Sequence, residues 1–355
     1  MRRLLLFTIS CARIAALVAL VCLATATYAQ TITTFDVPNS TSTHPTSINS
    51  AGQIAGEYYD LTGSHGFLRN PDGTFVTFDP PDFGNFPVSI LTTGINEQGE
   101  ITGYVEDGPN FYDGFLWHPD GTLTLFGVWF PTASTAINPY PNAPGNILGG
   151  DGTFANAINS AGQITGYWGG SQSAGRWHGF LRQPDGTVVS FDAWENSLNF
   201  IPSTWAIDIN SKGEITGHYQ DATGDHGFLR NPDGTIVRFD PPDVRSINSA
   251  GQITGGDFLR KANGKILTFD PIGSIVTQAD SINRSGQITG YYLDADSTYH
   301  GFLRNKNGNF ETFDAPGAGT GNSLGTFPQA IGDGGEITGY YQDANFVFHG
   351  FVRSK

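Results

Sequence analysis

Short runs rich in β-branched and aromatic residues, each bounded by Gly, Asn, Asp or Pro, fill almost the whole chain after its first 30 residues. No long stretch carries helical periodicity. The clearest unit runs from Ile209 to Asp240. In it, Gly213 to Tyr219, His226 to Arg230 and Thr235 to Asp240 read as strands B, C and D, preceded by a short strand A from Ala206 to Ile209. Asn231-Pro232-Asp233-Gly234 has the chemistry of a type I turn: Asn accepts from nearby backbone, Pro presets φ, and Gly takes a positive φ. Asn210-Ser211-Lys212-Gly213 links A to B in the same way. If the C–D hairpin closes with Asn231 opposite Thr235, Arg230 pairs with Ile236, Phe228 with Arg238, and His226 with Asp240. A slip of one residue would undo that pairing.

Copies of this unit begin at Ile48, Ile95, Ile158, Ile209, Ile247, Ile282 and Ile331, at spacings of 47, 63, 51, 38, 35 and 49 residues. Four strands per period of this size match propeller blades better than solenoid coils. The last copy stops at Lys355 without a strand D, while Thr31 to Pro38 matches Phe75 to Pro80, the strand D of the first copy. The expected fold is therefore an all-β, seven-bladed β-propeller of four-stranded antiparallel blades. Its ring would be closed by the N-terminal strand Thr31–Pro38, which removes two exposed sheet edges and sets Asp36 against His349. The 63-residue spacing includes an excursion from Gly127 to Asn156 with two echoes of the motif, room for one degenerate extra copy.

Residues 1–29 read as a cleaved secretory signal: Arg2 and Arg3, an apolar stretch from Ile14 to Leu23, and Thr27-Tyr28-Ala29 before Gln30. Cleavage leaves a single domain from 30 to 355, exported to the exterior or periplasm, without Cys11 and Cys22 and hence without a disulfide. It also leaves 15 basic residues against 33 acidic ones, a net charge of −18. That charge disfavours nucleic acid and anionic membranes. No other apolar run is long enough to span a bilayer. A monomer is expected.

The recurring Ile-Asn-x-x-Gly-x-Ile-x-Gly, followed by His-Gly-Phe-Leu-Arg, resembles the HAF-type extracellular repeat proteins of bacteria. Ile209-Asn210, Gly213, Gly217 and His226-Gly227-Phe228 carry the likeness, which extends over nearly all of the mature chain. The resemblance implies a secreted or surface protein and names no chemistry.

Three recurrences are candidates for chemistry. His65, His178, His226, His300 and His349 face Asp79, Asp192, Asp240, Asp314 and Asp36 in the inferred register. One such pair can be an acid/base unit, but five identical pairs read as a structural hydrogen bond in each blade. In copy two Asp113 and Gly127 replace both partners together; in copy five Gly256 replaces His while Asp270 stays. Arg69, Arg182, Arg230, Arg260, Arg304 and Arg353 recur before the C–D turn, with Trp117 in copy two; they read as bridges between blades or covers over aromatic surface, with a ligand-binding arginine ring as the alternative. Asp60, Asp107, Asp221, Asp294 and Asp343 recur in the B–C connections, where they are either turn formers or a carboxylate ring for a hard cation such as calcium. No other cofactor is predicted.

The A–B and C–D turns are short and stereotyped, whereas the B–C and D–A connections vary and emerge together at the opposite face, as binding faces are built. Five of the six tryptophans fall in or beside those connections: Trp129, Trp168, Trp177, Trp194 and Trp205. With Phe130 and Tyr140 they are the candidate ligand platform, for stacking on sugars; the alternative is that they fill space beneath long loops. Phosphate loops, Gly-x-Ser-x-Gly, His-Glu-x-x-His and a cysteine nucleophile are all absent from the mature sequence. The expected function is a non-catalytic binding module for an extracellular glycan or protein. A polysaccharide or peptide hydrolase or lyase acting from the central channel is the competing class, and a purely structural surface protein is the third.

Overall fold

The structure is a computed structural model that describes residues 30–80, 88–108, 111–128, 152–170, 175–194 and 201–354. The proposed signal, residues 1–29, lies outside them, as does most of the Gly127–Asn156 excursion. The unit from Thr31 onward is built of β-strands. A short strand, β1 (Ile32–Phe35), comes first. The first sheet is β2 (Ser42–Ile48), β3 (Ile54–Tyr59), β4 (Ser64–Arg69) and β5 (Phe75–Phe78). The next is β6 (Ser89–Ile95), β7 (Ile101–Gly108), β8 (Phe111–Trp117) and β9 (Leu123–Phe126). The third is β10 (Gly152–Ile158), β11 (Ile164–Gly170), β12 (Arg176–Arg182) and β13 (Val188–Phe191). Then come β14 (Ser203–Ile209), β15 (Ile215–Asp221), β16 (Gly224–Arg230) and β17 (Ile236–Phe239). A smaller sheet follows: β18 (Ser246–Ile247), β19 (Ile253–Gly255), β20 (Phe258–Arg260) and β21 (Ile266–Thr268). The chain ends with β22 (Val276–Ile282), β23 (Ile288–Leu293), β24 (Thr298–Arg304), β25 (Phe310–Phe313), β26 (Leu324–Ile331), β27 (Ile337–Gln342) and β28 (Phe348–Arg353).

Within each sheet the strands are antiparallel and in chain order, and β1 pairs with β28. Thr31 and Ser354 clasp the two ends, Ser354 N–H donating to the Thr31 carbonyl at 2.8 Å. A two-residue parallel contact joins β24 to β26, so the last two groups form one continuous sheet.

Each conserved feature of the repeat has one mechanical task. The hairpin Asn231–Thr235 closes with Gly234 at φ +89, and Asp233 accepts from Thr235 N–H at 2.9 Å. Gly227 has no side chain because the Phe239 ring of strand D lies where a Cβ would stand, 2.5 Å away. Asn210 Oδ1 accepts from Lys212 and Glu214 N–H within its own turn, and its Nδ2 donates to the Asn248 carbonyl of the next copy at 2.9 Å. Asn49, Asn159, Asn248 and Asn283 repeat that reach into the following copy. The recurrent Arg lies over the strand-D Phe of the preceding copy, with Arg69 over Phe35, Arg230 over Phe191 and Arg353 over Phe313 at 4.7 to 4.9 Å. In copy two Trp117 stacks on Phe78 at 4.8 Å in place of the cation. These arginines bridge copies and form no ligand ring.

The apolar core lies between successive sheets. Leu181 of β12 packs with Ile209, Ile215 and Phe228 of the next sheet, and every further cluster repeats the arrangement. Side chains from both sheet faces are thus taken out of water without any disulfide.

Candidate functional site

The first strand of each full-length copy carries a β-bulge two residues before its final Ile, at Thr46, Thr93, Asn156, Ile207, Asp280 and Gln329. In copy five β18 is cut to two residues and Arg245 takes that place, its N–H donating to the Thr254 carbonyl. A bulge re-aims one side chain out of the alternating pattern. Here these side chains line a common channel of about 530 Å³. Below them Ile48, Ile95, Ile158 and Ile331, all buried, form an apolar floor shared with a smaller hollow of about 230 Å³ on the short-turn side, whose lining Ile209, Ile247 and Ile282 complete.

Most of the bulge positions are neutral; Arg245 and Asp280 are the two charged ones, and they belong to adjacent copies. Copy five has lost its B–C excursion: Gly255 and Phe258 pair directly across Gly256-Asp257. Without that wall Arg245 stands half exposed, its Nε donating to Asp243 Oδ1 at 3.1 Å. Oriented with its oxygen toward Arg245, the Gln278 amide accepts from the same Nε at 3.1 Å and donates to Asp243 at 3.2 Å. Asp280 Oδ2 is shielded from solvent and has no hydrogen-bond partner among the described residues. Burial pushes its carboxyl up to about 8, with Arg245 pulling the other way. Glu57, also raised by burial, to about 7, differs in that Thr92 donates to it from both N–H and Oγ1. Burial lowers His44 to about 4.

Aromatic rings crowd the inner strands toward the connection end. Phe154 packs on Tyr104, Tyr112, Tyr167 and Trp177, with centroids 4.7 to 5.7 Å apart. Across the channel, Phe327 packs on Tyr291, Tyr299 and Tyr340.

The five His–Asp pairs stand opposed, each through Nδ1: His65 with Asp79, and His178–Asp192, His226–Asp240, His300–Asp314 and His349–Asp36 at 2.7 to 2.9 Å. In copy two, where Asp113 and Gly127 replace the pair, the two positions still lie side by side. In copy five Asp270 accepts instead from Thr277 Oγ1 at 2.7 Å. The B–C carboxylates meet the same histidines from the other side: His65 Nε2 stands 3.1 Å from Asp60, and His300 Nε2 3.1 Å from Asp294. Burial works against charge on His65 and His300, but the flanking carboxylates outweigh it and raise both. Asp221 and Asp343 lie 3.6 and 3.7 Å from His226 and His349.

Asp60, Asp221, Asp294 and Asp343 each cap their own loop, as Asp60 does for Thr62 and Asp343 for Asn345 and Val347. Among the described residues no group of three His, Cys, Asp or Glu side chains could hold a metal ion. The side chain of Asp107 lies outside the described residues.

The tryptophan platform needs correction. Trp168 is buried: it stacks on His178 at 4.9 Å and its Nε1 donates to Ser190, the place that Tyr58, Tyr219, Tyr292 and Tyr341 take in other copies. Trp177 is half-buried against Phe154 and Tyr167, Trp205 stacks on His218, and Trp194 packs beneath Arg176. Trp129, Phe130 and Tyr140 lie outside the described residues. Instead, the exposed apolar surface is in the loops. Leu61, Phe111, Ile201, Ile272, Ile275, Val276 and Phe346 are more than half exposed, and all sit at B–C or D–A connections. Phe346 does so at φ +66, as Ser297 does at φ +61 in the matching loop of copy six.

With the geometry in place, similarity to solved structures is informative about architecture. A streptogramin B lyase aligns over 92% of this chain and 98% of its own at 11% identity, with a TM-score of 0.52. A catalytically inactive virginiamycin B lyase from Staphylococcus aureus, solved with quinupristin, aligns over 91% and 99% at 13% identity and 0.53. The fold is that of a β-propeller. A prolyl endopeptidase matches 88% of this chain with 47% of its own, at 10% identity and 0.53. Identities this low carry architecture and no activity. No protein-family model and no curated protein matches the chain.

Arg245, Asp243, Gln278 and Asp280 were not legible as a site. The available signal was the 35-residue spacing of copy five, which leaves no room for a full B–C excursion.

Proposed function

We propose that the protein is an exported, non-catalytic binding module: a seven-bladed propeller closed through its N-terminal strand, of the HAF-type extracellular repeat kind, whose connection face recognises a partner outside the cell. Support for closure comes from β1 on β28 and from the inner strands of all seven copies around one channel. Support for the repeat family comes from the motif's Asn and Arg, which act between copies. The observation that carries the binding reading is the one-sided distribution of exposed apolar side chains. Leu61 and Ile272 are almost wholly in solvent, while the short-turn face presents Asn, Ser, Pro, Asp and Gly. Such a concentration marks an interaction surface, and its aliphatic character favours a protein partner over a glycan.

The test compares two triple variants of the mature chain for retention on intact source cells. Leu61→Ser with Ile272→Ser and Phe346→Ser should lose retention; Val76→Ser with Val189→Ser and Val237→Ser, exposed on outer strands, should keep it. Protease treatment of the cells should abolish retention and periodate should not. Equal retention by both variants would remove the connection face from the account.

Catalysis from the channel is the second reading, favoured by the raised Asp280 carboxyl. The neighbouring Asp243 is held by Arg245 and Gln278, so a paired second carboxyl is already engaged.

A further inference from the structure

We infer that the channel beside copy five binds a neutral sugar or cyclic polyol, with Arg245 and Asp280 gripping two adjacent hydroxyl groups. This site lies inside the ring of inner strands and does not depend on the exposed loop residues.

The two groups are set up as a pair. Asp280 occupies a bulge and Arg245 the corresponding place ahead of the shortened β18, and both line the channel, one from each of two neighbouring copies. The two-residue link Gly256-Asp257 clears the space in front of Arg245. Asp243 and Gln278 hold Nε and fix the guanidinium plane, while its terminal nitrogens make no hydrogen bond among the described residues. Asp280 Oδ2 is shielded and, among the same residues, unpartnered. A shielded polar atom without a partner costs about 1–3 kcal/mol, which a hydroxyl donor would recover.

Charge decides the ligand class. Arg245 is balanced by Asp243, burial favours the uncharged form of Asp280, and Asp208 also lines the channel, so the pocket offers an anion no net positive charge. The mature chain, at −18, repels anions at longer range. A hydroxyl pair suits both groups: the guanidinium donates to one oxygen, and Asp280 accepts from the next hydroxyl. Thr46, Asn156 and Gln329 add neutral hydrogen-bonding side chains around the wall, and the isoleucine floor meets the apolar face of a ring. A channel of about 530 Å³ holds one or two sugar rings with water, within the usual range for ligand pockets of roughly 300–1,000 Å³.

The experiment is calorimetry on the mature chain with a panel of methyl glycosides, inositol and glucuronate, using wild type, Arg245→Gln, Asp280→Asn and the short-turn control Arg284→Gln. At least one neutral member should bind, at least tenfold more weakly to each channel variant and unchanged in Arg284→Gln. A second readout needs no variant: phenylglyoxal should label Arg245 in wild-type protein, and the bound sugar should protect it while leaving Arg284 labelled. Absence of binding across the panel, tighter binding of glucuronate than of neutral sugars, or sugar binding without Arg245 protection would each overturn the inference.

Discussion

Replacing Asp280 with Asn should change how stability depends on pH. In the unfolded chain this carboxyl ionises near 3.8, whereas burial in the channel raises it to about 8 in the folded protein. Between those limits the folded state holds a proton that the unfolded state has released, so raising the pH drains stability. The contribution is fully present below pH 4 and lost by about pH 8. A shift of about four units at roughly 1.4 kcal/mol each sets a ceiling of about 6 kcal/mol. Asp280 borders a channel that admits water and stands near Arg245, which brings the expected loss down to roughly 2–3 kcal/mol. Asn keeps the shape and cannot ionise. The stability difference between variant and wild type should therefore widen by that amount from pH 4.5 to 8.5, in favour of the variant. Glu57, raised by burial, and His44, lowered by it, also bend both curves, but they act in both proteins and cancel in the difference. Urea unfolding followed by tryptophan fluorescence across this range supplies the measurement. Parallel pH curves would refute the reasoning, since Asp280 would then be ionising normally in the fold.

Other expectations follow from the repeat mechanics. Asn210→Ala removes the one acceptor of two turn N–H groups and the donor to Asn248, and should cost about 2–4 kcal/mol in urea unfolding, against less than about 0.5 for the exposed neighbour Ser211→Ala. Arg230→Met keeps an apolar stem over Phe191 but loses the cation–π contact, and a loss of about 1 kcal/mol should appear in the same assay. Phe346→Gly should raise stability by about 1 kcal/mol, because glycine adopts the left-handed backbone there without strain, while retention on cells falls. Calorimetry with and without calcium should show no change in unfolding temperature, since Asp60, Asp294 and Asp343 already accept hydrogen bonds from their own loops.

What the sequence made legible was whatever a turn fixes locally. The Asn-Pro-Asp-Gly hairpin sets the C–D register, and that is why His226 could be placed opposite Asp240 by counting. The match of Thr31–Pro38 to strand D likewise anticipated a partner for the last strand, and Ile32 to Phe35 lie on β28. The bulges were not legible: each shifts the in–out alternation by one place, as between buried Ala279 and Ile282, and in a seven-residue strand of mostly small or polar residues that shift leaves no clear signal. Asp280 and Arg245 therefore read as ordinary strand residues. Trp168 was taken as a surface ring because it precedes a variable connection, although it occupies the buried tyrosine position of its copy. For the B–C aspartates spacing shows that they recur and not which way they face; Asp60, Asp221, Asp294 and Asp343 accept hydrogen bonds from their own loops.

The most direct test of the connection face is hydroxyl-radical footprinting of the mature chain, alone and bound to source-cell surface. Protection of Leu61, Phe111, Ile272 and Phe346, with the Asn-Pro-Asp-Gly turns unchanged, is the predicted result. Protection confined to those short turns would contradict the account, since it would put the partner on the opposite side of the molecule.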